Sequence, residues 1–215
     1  MSTLIITGGR AEAGFFREYF KNRTFCHIIA VDGGLLFAEA LGLVPDYIVG
    51  DFDTLPEGRL AAYEGREGVT IRHFCPEKDD TDTQIAVELA LELEKEEVIM
   101  IGAAGTRLDH SIANLFLLEK FERAGISAYC LDGKNRVRVL QKGISLQKVV
   151  QYGDFVSFLA LTDTVEGITL KGFKYPLLNR TLHQDDSLCV SNEIVEETAE
   201  ISFQKGLLLM IEAKD

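Results

Sequence analysis

The stretch IIAVDGGLLFAEALGLVPDYIVGDFD, residues 28–53, carries the clearest indication of the fold class. Two short apolar runs, at 28–31 and 47–49, flank a helical pattern at 35–41. Both runs are apolar at odd and even positions, which is typical of strands that are covered on both faces. The stretch therefore predicts a strand–helix–strand unit with parallel strands.

The same alternation continues outward from this stretch to about residue 132. Further strands are predicted at 4–7, 69–74, 98–101 and 127–131, and further helices at 11–21, 56–64, 82–95 and 108–124. Thr81 and Gln84 fit a capping box at the start of the helix at 82–95. The pattern predicts an α/β domain over residues 1–132, with a mostly parallel sheet of about six strands.

The alternation of predicted strands and helices ends at residue 132, and no helical pattern follows. Short strands are predicted at 137–139, 144–150, 155–159, 168–170, 188–190, 199–203 and 207–211, with glycines at turn positions between several of them. Residues 133–215 are therefore expected to form an antiparallel β-sandwich or partial barrel.

Charge and composition exclude several classes of protein. The chain has 215 residues, with 22 basic and 34 acidic side chains and a net charge of −12, which argues against nucleic-acid and anionic-membrane partners. The N-terminus does not have the pattern of a signal peptide, and the apolar runs are too short to span a bilayer. The four cysteines, at 26, 75, 130 and 189, are too far apart for a typical zinc site. We expect a cytoplasmic protein with reduced cysteines.

Glycines or carboxylates follow each of the first five predicted strands. They occur at 8–10, 32–34, 50–53, 79–82 and 102–110. The residues that follow parallel strands line one crevice at the carboxyl edge of the sheet, where ligands bind in open α/β folds. A binding site is therefore expected at that edge.

The acidic residues suggest a metal site. Asp51 and Asp53 would point to the same side of an extended segment and could share Mg²⁺, although a solvated loop with Asx-turn bonds is the alternative. Asp79 and Asp82 lie at a helix start, where they could bind a metal or nucleotide or could simply cap the helix.

The other polar residues of this edge fit phosphate binding. Gly33 and Gly34 would allow close approach of phosphate or ribose, or form only a turn. Arg107 suits phosphate oxygens, or forms a surface pair with Asp109. His110 is more consistent with a structural hydrogen bond than with catalysis. Neither the P-loop motif nor G-x-G-x-x-G is present, so the residues alone predict a Mg²⁺-dependent nucleotide or phosphate enzyme.

The order of these motifs resembles the thiamine pyrophosphokinase family. The resemblance rests on residues 32–34, 41–54, 79–82, 105–110 and 114, followed by 172–177 and 191–193. It implies the reaction of ATP with thiamine to give AMP and thiamine diphosphate, with Mg²⁺. It also implies a catalytic α/β domain, a thiamine-binding β-domain and a homodimer with thiamine near the subunit interface.

The resemblance also implies roles for individual residues. The acidic centre for Mg²⁺ and the reacting groups would comprise Asp51, Asp53, Asp79, Asp82 and Asp109. The ATP site would comprise Asp32, Gly33, Gly34, Arg107 and His110. Thiamine would be held by Ser191, Asn192 and Tyr175, where Tyr175 either stacks on thiamine or packs inside the β-domain.

An acidic pocket suits this substrate pair. Thiamine carries a fixed positive charge, whereas anionic ATP would need Mg²⁺ to enter the same pocket. The proton acceptor for the thiamine hydroxyl stays open between Asp82 and Asp109. Two other functions are compatible with the acidic half: a pyrophosphokinase for another hydroxymethyl heterocycle, such as a pterin, and a non-catalytic Mg-nucleotide sensor.

Overall fold

The structure is a computed structural model that describes residues 2–73, 80–93, 97–105 and 107–215. It divides into two compact units, Met1–Gly133 and Lys134–Asp215. We call them the N-terminal unit and the C-terminal unit and describe each by itself.

The N-terminal unit is an α/β fold with a parallel sheet. Its strands are β1 (Ser2–Ile6), β2 (Phe25–Val31), β3 (Tyr47–Gly50), β4 (Thr70–His73), β5 (Glu97–Ile101) and β6 (Ser127–Leu131), in the order β4-β3-β2-β1-β5-β6. All five pairings are parallel. Leu4, Ile5 and Ile99 are fully buried in the two central strands. The predicted mostly parallel sheet is confirmed.

Five helices cover this sheet in the described residues of the N-terminal unit. They are α1 (Ala13–Tyr19), α2 (Gly34–Leu41), α3 (Asp82–Leu93), α4 (Leu108–Phe116) and α5 (Leu118–Arg123). The predicted N-cap of α3 is present, since the Gln84 amide donates to Thr81 Oγ1 at 3.2 Å. The Gln84 side chain bonds Asp80, so it does not complete the box in the predicted way.

Two helix predictions were wrong in extent. Residues 56–64 form only a 3-10 turn, Leu60–Ala62, because Gly58 takes a left-handed conformation just after Pro56. The helix predicted at 108–124 is two helices, since the Lys120 amide bonds the carbonyl of Leu117 three residues back and breaks the regular pattern. No glycine or proline marks that break in the sequence.

The C-terminal unit consists of two antiparallel sheets, as predicted for this half. One has the order β7 (Asn135–Leu140), β13 (Leu208–Ala213) and β9 (Phe155–Ala160). The other has the order β11 (Leu177–His183), β10 (Thr164–Lys171), β12 (Thr198–Ser202) and β8 (Ile144–Gln147). Side chains of both sheets share one core, including Phe158, Met210 and Ile168, which makes the unit a sandwich.

Three strand predictions in this unit need correction. The strand predicted at 144–150 ends at Gln147, and Lys148–Val150 form a 3-10 turn. Residues 188–190 form a turn closed by a bond from the Val190 amide to the Ser187 carbonyl, although Cys189 is buried. Strand β11 was missed because it lies at a sheet edge with mostly exposed residues, so it lacks an apolar alternation. An apolar triplet indicates burial and does not by itself indicate a strand.

No helix within the described ranges is long and apolar enough to cross a membrane.

Candidate functional site

A cavity opens at the carboxyl ends of the two central strands of the N-terminal unit. Its volume is about 550 Å³. Residues that follow β1 and residues that follow β5 line the cavity, and the strand order changes direction between these two strands. This is the topological switch point where open α/β sheets bind ligands.

Backbone contacts join the segment that follows β1 to the segment that follows β5. The Arg10 amide donates to the Ala104 carbonyl at 2.8 Å, and the Thr7 amide donates to the Ile101 carbonyl at 2.9 Å. A Cβ at Gly9 would lie 2.0 Å from the Gly102 carbonyl oxygen, so only glycine allows this approach. The result is a polar wall of main-chain groups and small residues.

The second glycine of the Asp32-Gly33-Gly34 turn has a packing role. A Cβ at Gly34 would lie 2.0 Å from the Ile6 carbonyl oxygen, which lets α2 begin directly against β1. Gly33 lines the cavity, beside Asp32. The two glycines therefore have different roles, one in helix–strand packing and one at the cavity surface.

Two buried polar side chains of α4 hold the β5 wall. Ser111 Oγ accepts from the Gly105 amide at 3.0 Å and donates to the Arg107 carbonyl at 3.0 Å. Asn114 Nδ2 donates to the Ala103 carbonyl at 2.9 Å, and Asn114 also lines the cavity. Three bonds thus tie the loop to its helix.

Arg107 and His110 line the mouth of the cavity. The Arg107 guanidinium forms two hydrogen bonds with Asp109, of 3.2 and 2.6 Å, and both side chains are largely exposed. This bond lowers the pKa of Asp109 to about 2. The surface pair, which was one of the two interpretations of Arg107, is therefore present, and Arg107 still borders the cavity.

A group of three carboxylates lies at the same edge of the sheet. One oxygen each of Asp32, Asp51 and Asp82 lie within 4.8 Å of one another. They come from three elements: the end of β2, the end of β3 and the first turn of α3. Oxygen ligands at this spacing fit a hard divalent cation such as Mg²⁺.

A tight turn directs Asp51 toward Asp32. Phe52 has a left-handed backbone, with φ of 63°, and its amide faces Asp32 Oδ1 at 3.4 Å. A Cβ at Gly50 would lie 1.7 Å from the same oxygen, so glycine is required there. The Asp53 amide donates to Asp51 Oδ1 at 3.2 Å, which forms an Asx turn. The expectation of an extended segment at 51–53 was wrong, because the turn rotates the two aspartates apart.

Like charges and burial favour the neutral form of Asp32. Burial is the largest cause, followed by the charge of Asp82, and together they raise the pKa of Asp32 to about 7. Asp32 and Asp82 also share a side-chain hydrogen bond. A bound cation would relieve this repulsion, since it favours the charged carboxylates.

The group differs in membership from the predicted metal set. It contains Asp51 and Asp82 as predicted, and it adds Asp32, which was assigned to ATP. Asp53 and Asp109 are exposed and lie outside the group. Asp79 lies outside the described residues. The roles of these three aspartates stay predictions.

The predicted thiamine residues lie together in the C-terminal unit. Tyr175 is 56% exposed, so its ring is not packed in the core. Asn192 is only 2% exposed, and its side chain bonds the backbone of Tyr175. Ser191 is exposed, with φ of 56°, and its amide donates to Ser157 Oγ at 2.9 Å.

Comparison with known proteins decides the family. The model of the thiamin pyrophosphokinase catalytic domain matches residues 16–130. The chain belongs to the thiamin pyrophosphokinase family. The model of the family's vitamin B1 binding domain matches residues 142–208.

Individual thiamine pyrophosphokinases are similar over most of their length. A thiamine pyrophosphokinase of Bacillus subtilis is 31% identical over 187 residues, which are 87% of each chain. A crystal structure of the B. subtilis enzyme superposes with a TM-score of 0.88, at 28% identity and full coverage of both chains. The thiamin pyrophosphokinase of Geobacillus thermodenitrificans gives 0.85 at 30% identity, covering 100% of this chain and 98% of the other.

Sequence reasoning missed Ser111, and it used Asn114 only as part of the family resemblance, without a role of its own. Ser111 and Asn114 are buried polar residues on a helix whose apolar stripe faces outward. The sequence offered only one indication of their role: two polar residues lie three positions apart, on one face of the predicted helix. Asp32 was noticed, but only the left-handed turn at Phe52 makes it a neighbour of Asp51.

Proposed function

We propose that this protein is a thiamine diphosphokinase that transfers the diphosphoryl group of ATP to the hydroxyl of thiamine. The observation that carries the proposal is the carboxylate group beside the switch-point cavity in a chain that matches both domains of this family. The thiamine hydroxyl oxygen bonds to the β-phosphorus, the bond from that phosphorus to the α–β bridging oxygen breaks, and AMP leaves with that oxygen.

The carboxylate group fits Mg²⁺. Asp32, Asp51 and Asp82 offer oxygen ligands, and a cation would offset the burial and the like charges that raise the pKa of Asp32. These three residues would hold the ion, which supplies charge neutralisation at the phosphates of ATP.

The remaining residues of the cavity bind and orient ATP. The small residues after β1 and β5 leave main-chain groups open to phosphate oxygens, and the Arg107 fork lies at the cavity mouth. The Ser111 and Asn114 bonds fix this wall before ATP binds. Positioning of this kind carries most of the catalysis in phosphoryl transfer.

Asp82 is the better of the two candidate proton acceptors. Asp109 is paired with Arg107, and its pKa of about 2 makes it a weak base at neutral pH. Asp82 belongs to the carboxylate group, beside the expected position of the reacting phosphates. We therefore assign the hydroxyl proton to the oxygen of Asp82 that would not contact the ion.

We also propose a homodimer and a cytoplasmic location. Helix α4 exposes an apolar stripe of Leu108, Ile112 and Phe116, which are 72%, 50% and 50% exposed and lie one turn apart. A two-fold axis would let two such stripes cover each other. The three described cysteines are free, which suits a reducing compartment.

Light scattering tests the dimer. The wild type is expected at twice the chain mass of 23.9 kDa, and Ile112→Glu at the chain mass. Val44→Glu is the matched control, since Val44 is 45% exposed and lies off the stripe. A monomeric wild type, or a dimeric Ile112→Glu, would contradict the proposal.

A coupled assay of AMP release tests the activity. The chain is incubated with ATP and Mg²⁺, and with thiamine, a hydroxymethyl pterin or no acceptor. AMP is expected only with thiamine; release with the pterin would indicate the other pyrophosphokinase, and no release would leave the nucleotide-sensor interpretation. Asp82→Asn should lower kcat by about 100-fold or more. Asp80→Asn, which changes an exposed acid two residues away, is the control and should stay within a few-fold of wild type.

A further inference from the structure

Three of the four hydrogen-bonding positions of the Asn192 side chain bond the protein backbone. Its Oδ1 accepts from the Tyr175 amide at 3.0 Å and from the Glu193 amide at 2.9 Å. Its Nδ2 donates to the Tyr175 carbonyl at 2.8 Å. The carboxamide thus bonds both main-chain polar groups of Tyr175, in the way that a neighbouring strand would.

Asn192 is itself rigidly held. Its amide and carbonyl pair with Val156 of β9 at 3.1 and 2.7 Å. The neighbouring residues join the same two segments, since the Lys174 amide bonds the Glu193 carbonyl at 2.9 Å and the Lys174 ammonium bonds the Glu193 carboxylate at 2.5 Å. Asn192 therefore connects the Tyr175 segment to the sheet of β9.

The ring of Tyr175 is exposed, in contrast to the buried side chain of Asn192. It is 56% exposed, outside the core of the unit, and the Lys174 ammonium lies 5.6 Å from its centroid. Pro176 follows and restricts the backbone of Tyr175 to extended conformations. An exposed aromatic ring on an immobilised backbone is suited to stack on a flat ligand, because little conformational freedom is lost on binding.

We propose that Asn192 is a positioning residue that orients the ring of Tyr175 for thiamine, rather than a direct ligand of the aminopyrimidine. The inference rests on the proposed function. It differs from the role that the resemblance implied for Asn192, because a carboxamide that is 2% exposed and bonded to three backbone groups is poorly placed to contact a substrate.

The absence of tryptophan from the chain allows a direct test of orientation. Tyr175→Trp introduces a single tryptophan whose fluorescence anisotropy decay reports local motion at position 175. In this background Asn192→Ala should add a fast decay component. Asn192→Asp keeps an acceptor for both amides and loses the donor to the Tyr175 carbonyl, so it should add a smaller one. The Asp variant also serves if the Ala variant fails to fold.

The matched control is Leu146→Ala in the same unit. Leu146 is buried in β8, at the opposite sheet edge from β11, which follows the Tyr175 segment. Its truncation should lower the melting temperature without adding motion at position 175. A general loss of stability is thereby separated from a local loss of order.

Kinetics supply the second readout. With Tyr175 present, Asn192→Ala should raise the thiamine KM about ten- to hundredfold and leave the ATP KM unchanged. Tyr175→Ala should raise the thiamine KM similarly, and adding Asn192→Ala to it should have little further effect. Leu146→Ala should leave both KM values near those of the wild type.

Two outcomes of these experiments would overturn the proposal. A raised thiamine KM with no added motion at position 175 would make Asn192 a direct ligand. Added motion with an unchanged thiamine KM would mean that the ring orientation does not matter for binding. If the wild type does not use thiamine at all, the proposed function fails, whereas the anisotropy result still tests whether Asn192 orders position 175.

Discussion

Replacement of Asp32 by asparagine should stabilise the protein in a pH-dependent manner. The pKa of Asp32 is raised from 3.8 to about 7, chiefly by burial and then by Asp82. Below pH 4 the carboxyl is neutral in both the folded and unfolded states, so its raised pKa does not lower the free energy of unfolding. As the pH rises toward 7, the unfolded chain loses this proton and the folded chain keeps it, so the free energy of unfolding falls. Above pH 7 both states have lost the proton, and the loss of stability stays constant.

The magnitude follows from the shift. A difference between 3.8 and about 7 corresponds to about 4 kcal/mol, which we halve to about 2 kcal/mol because the side chain is only partly buried and solvent screens it. At pH 5.5 the same reasoning gives about 1 kcal/mol. For a chain of this length, these values correspond to melting temperatures raised by about 4–8 °C at pH 8 and about 2–4 °C at pH 5.5.

Thermal melting in EDTA at the two pH values measures the effect. Asp53→Asn is the matched control, since Asp53 is exposed in the same region and its substitution should change the melting temperature little at either pH. An equal gain for Asp32→Asn at pH 5.5 and pH 8 would refute the reasoning, because a gain from relieved charge must grow with pH. Added Mg²⁺ should raise the melting temperature of the wild type more than that of Asp32→Asn.

Three further predictions concern the site and its scaffold. Asp51→Asn should lower kcat by about 100-fold at saturating Mg²⁺, and Asp53→Asn should lower it less, because only Asp51 lies in the carboxylate group; equal losses in steady-state kinetics would argue against this division. Asn114→Ala and Ser111→Ala should raise the ATP KM and leave the thiamine KM unchanged, since their bonds hold only the nucleotide wall; a parallel rise in both KM values would contradict that role. Glu212→Gln should lower the free energy of unfolding in urea by about 2–3 kcal/mol, because it weakens the bidentate pair between buried Glu212 and partly exposed Arg136. Glu166→Gln, in the exposed pair with Lys205, should lower it by less than about 1 kcal/mol.

The sheet of the N-terminal unit was predictable because its strands are buried on both faces. The inner parts of β1 and β5, residues 4–6 and 98–101, are entirely apolar, and that composition is a direct consequence of burial at the sheet centre. Strand β11 could not be found in this way, since it lies at an edge and only Leu182 is buried. Strand prediction therefore succeeded where packing dictates the residue type.

The site was predictable by position and less so by geometry. Parallel strands bring their carboxyl ends to one edge, so Asp51 and Asp82 could be placed together from the order of elements alone. The inclusion of Asp32 and the exclusion of Asp53 depend on the left-handed backbone at Phe52, which no hydrophobic pattern encodes. Helix α4 departs from the usual pattern in a different way. Its apolar stripe is exposed, and its buried polar residues, Ser111 and Asn114, bond the cavity wall.

The fate of the γ-phosphate of ATP distinguishes diphosphoryl transfer from transfer of a single phosphoryl group. The protein is supplied with ATP labelled in its γ-phosphate, with thiamine and Mg²⁺, and the products are separated and counted. A diphosphoryl transfer predicts that the label enters thiamine diphosphate, with one unlabelled AMP formed for each labelled product. Label in thiamine monophosphate or inorganic phosphate, with ADP as the nucleotide product, would contradict a diphosphoryl transfer.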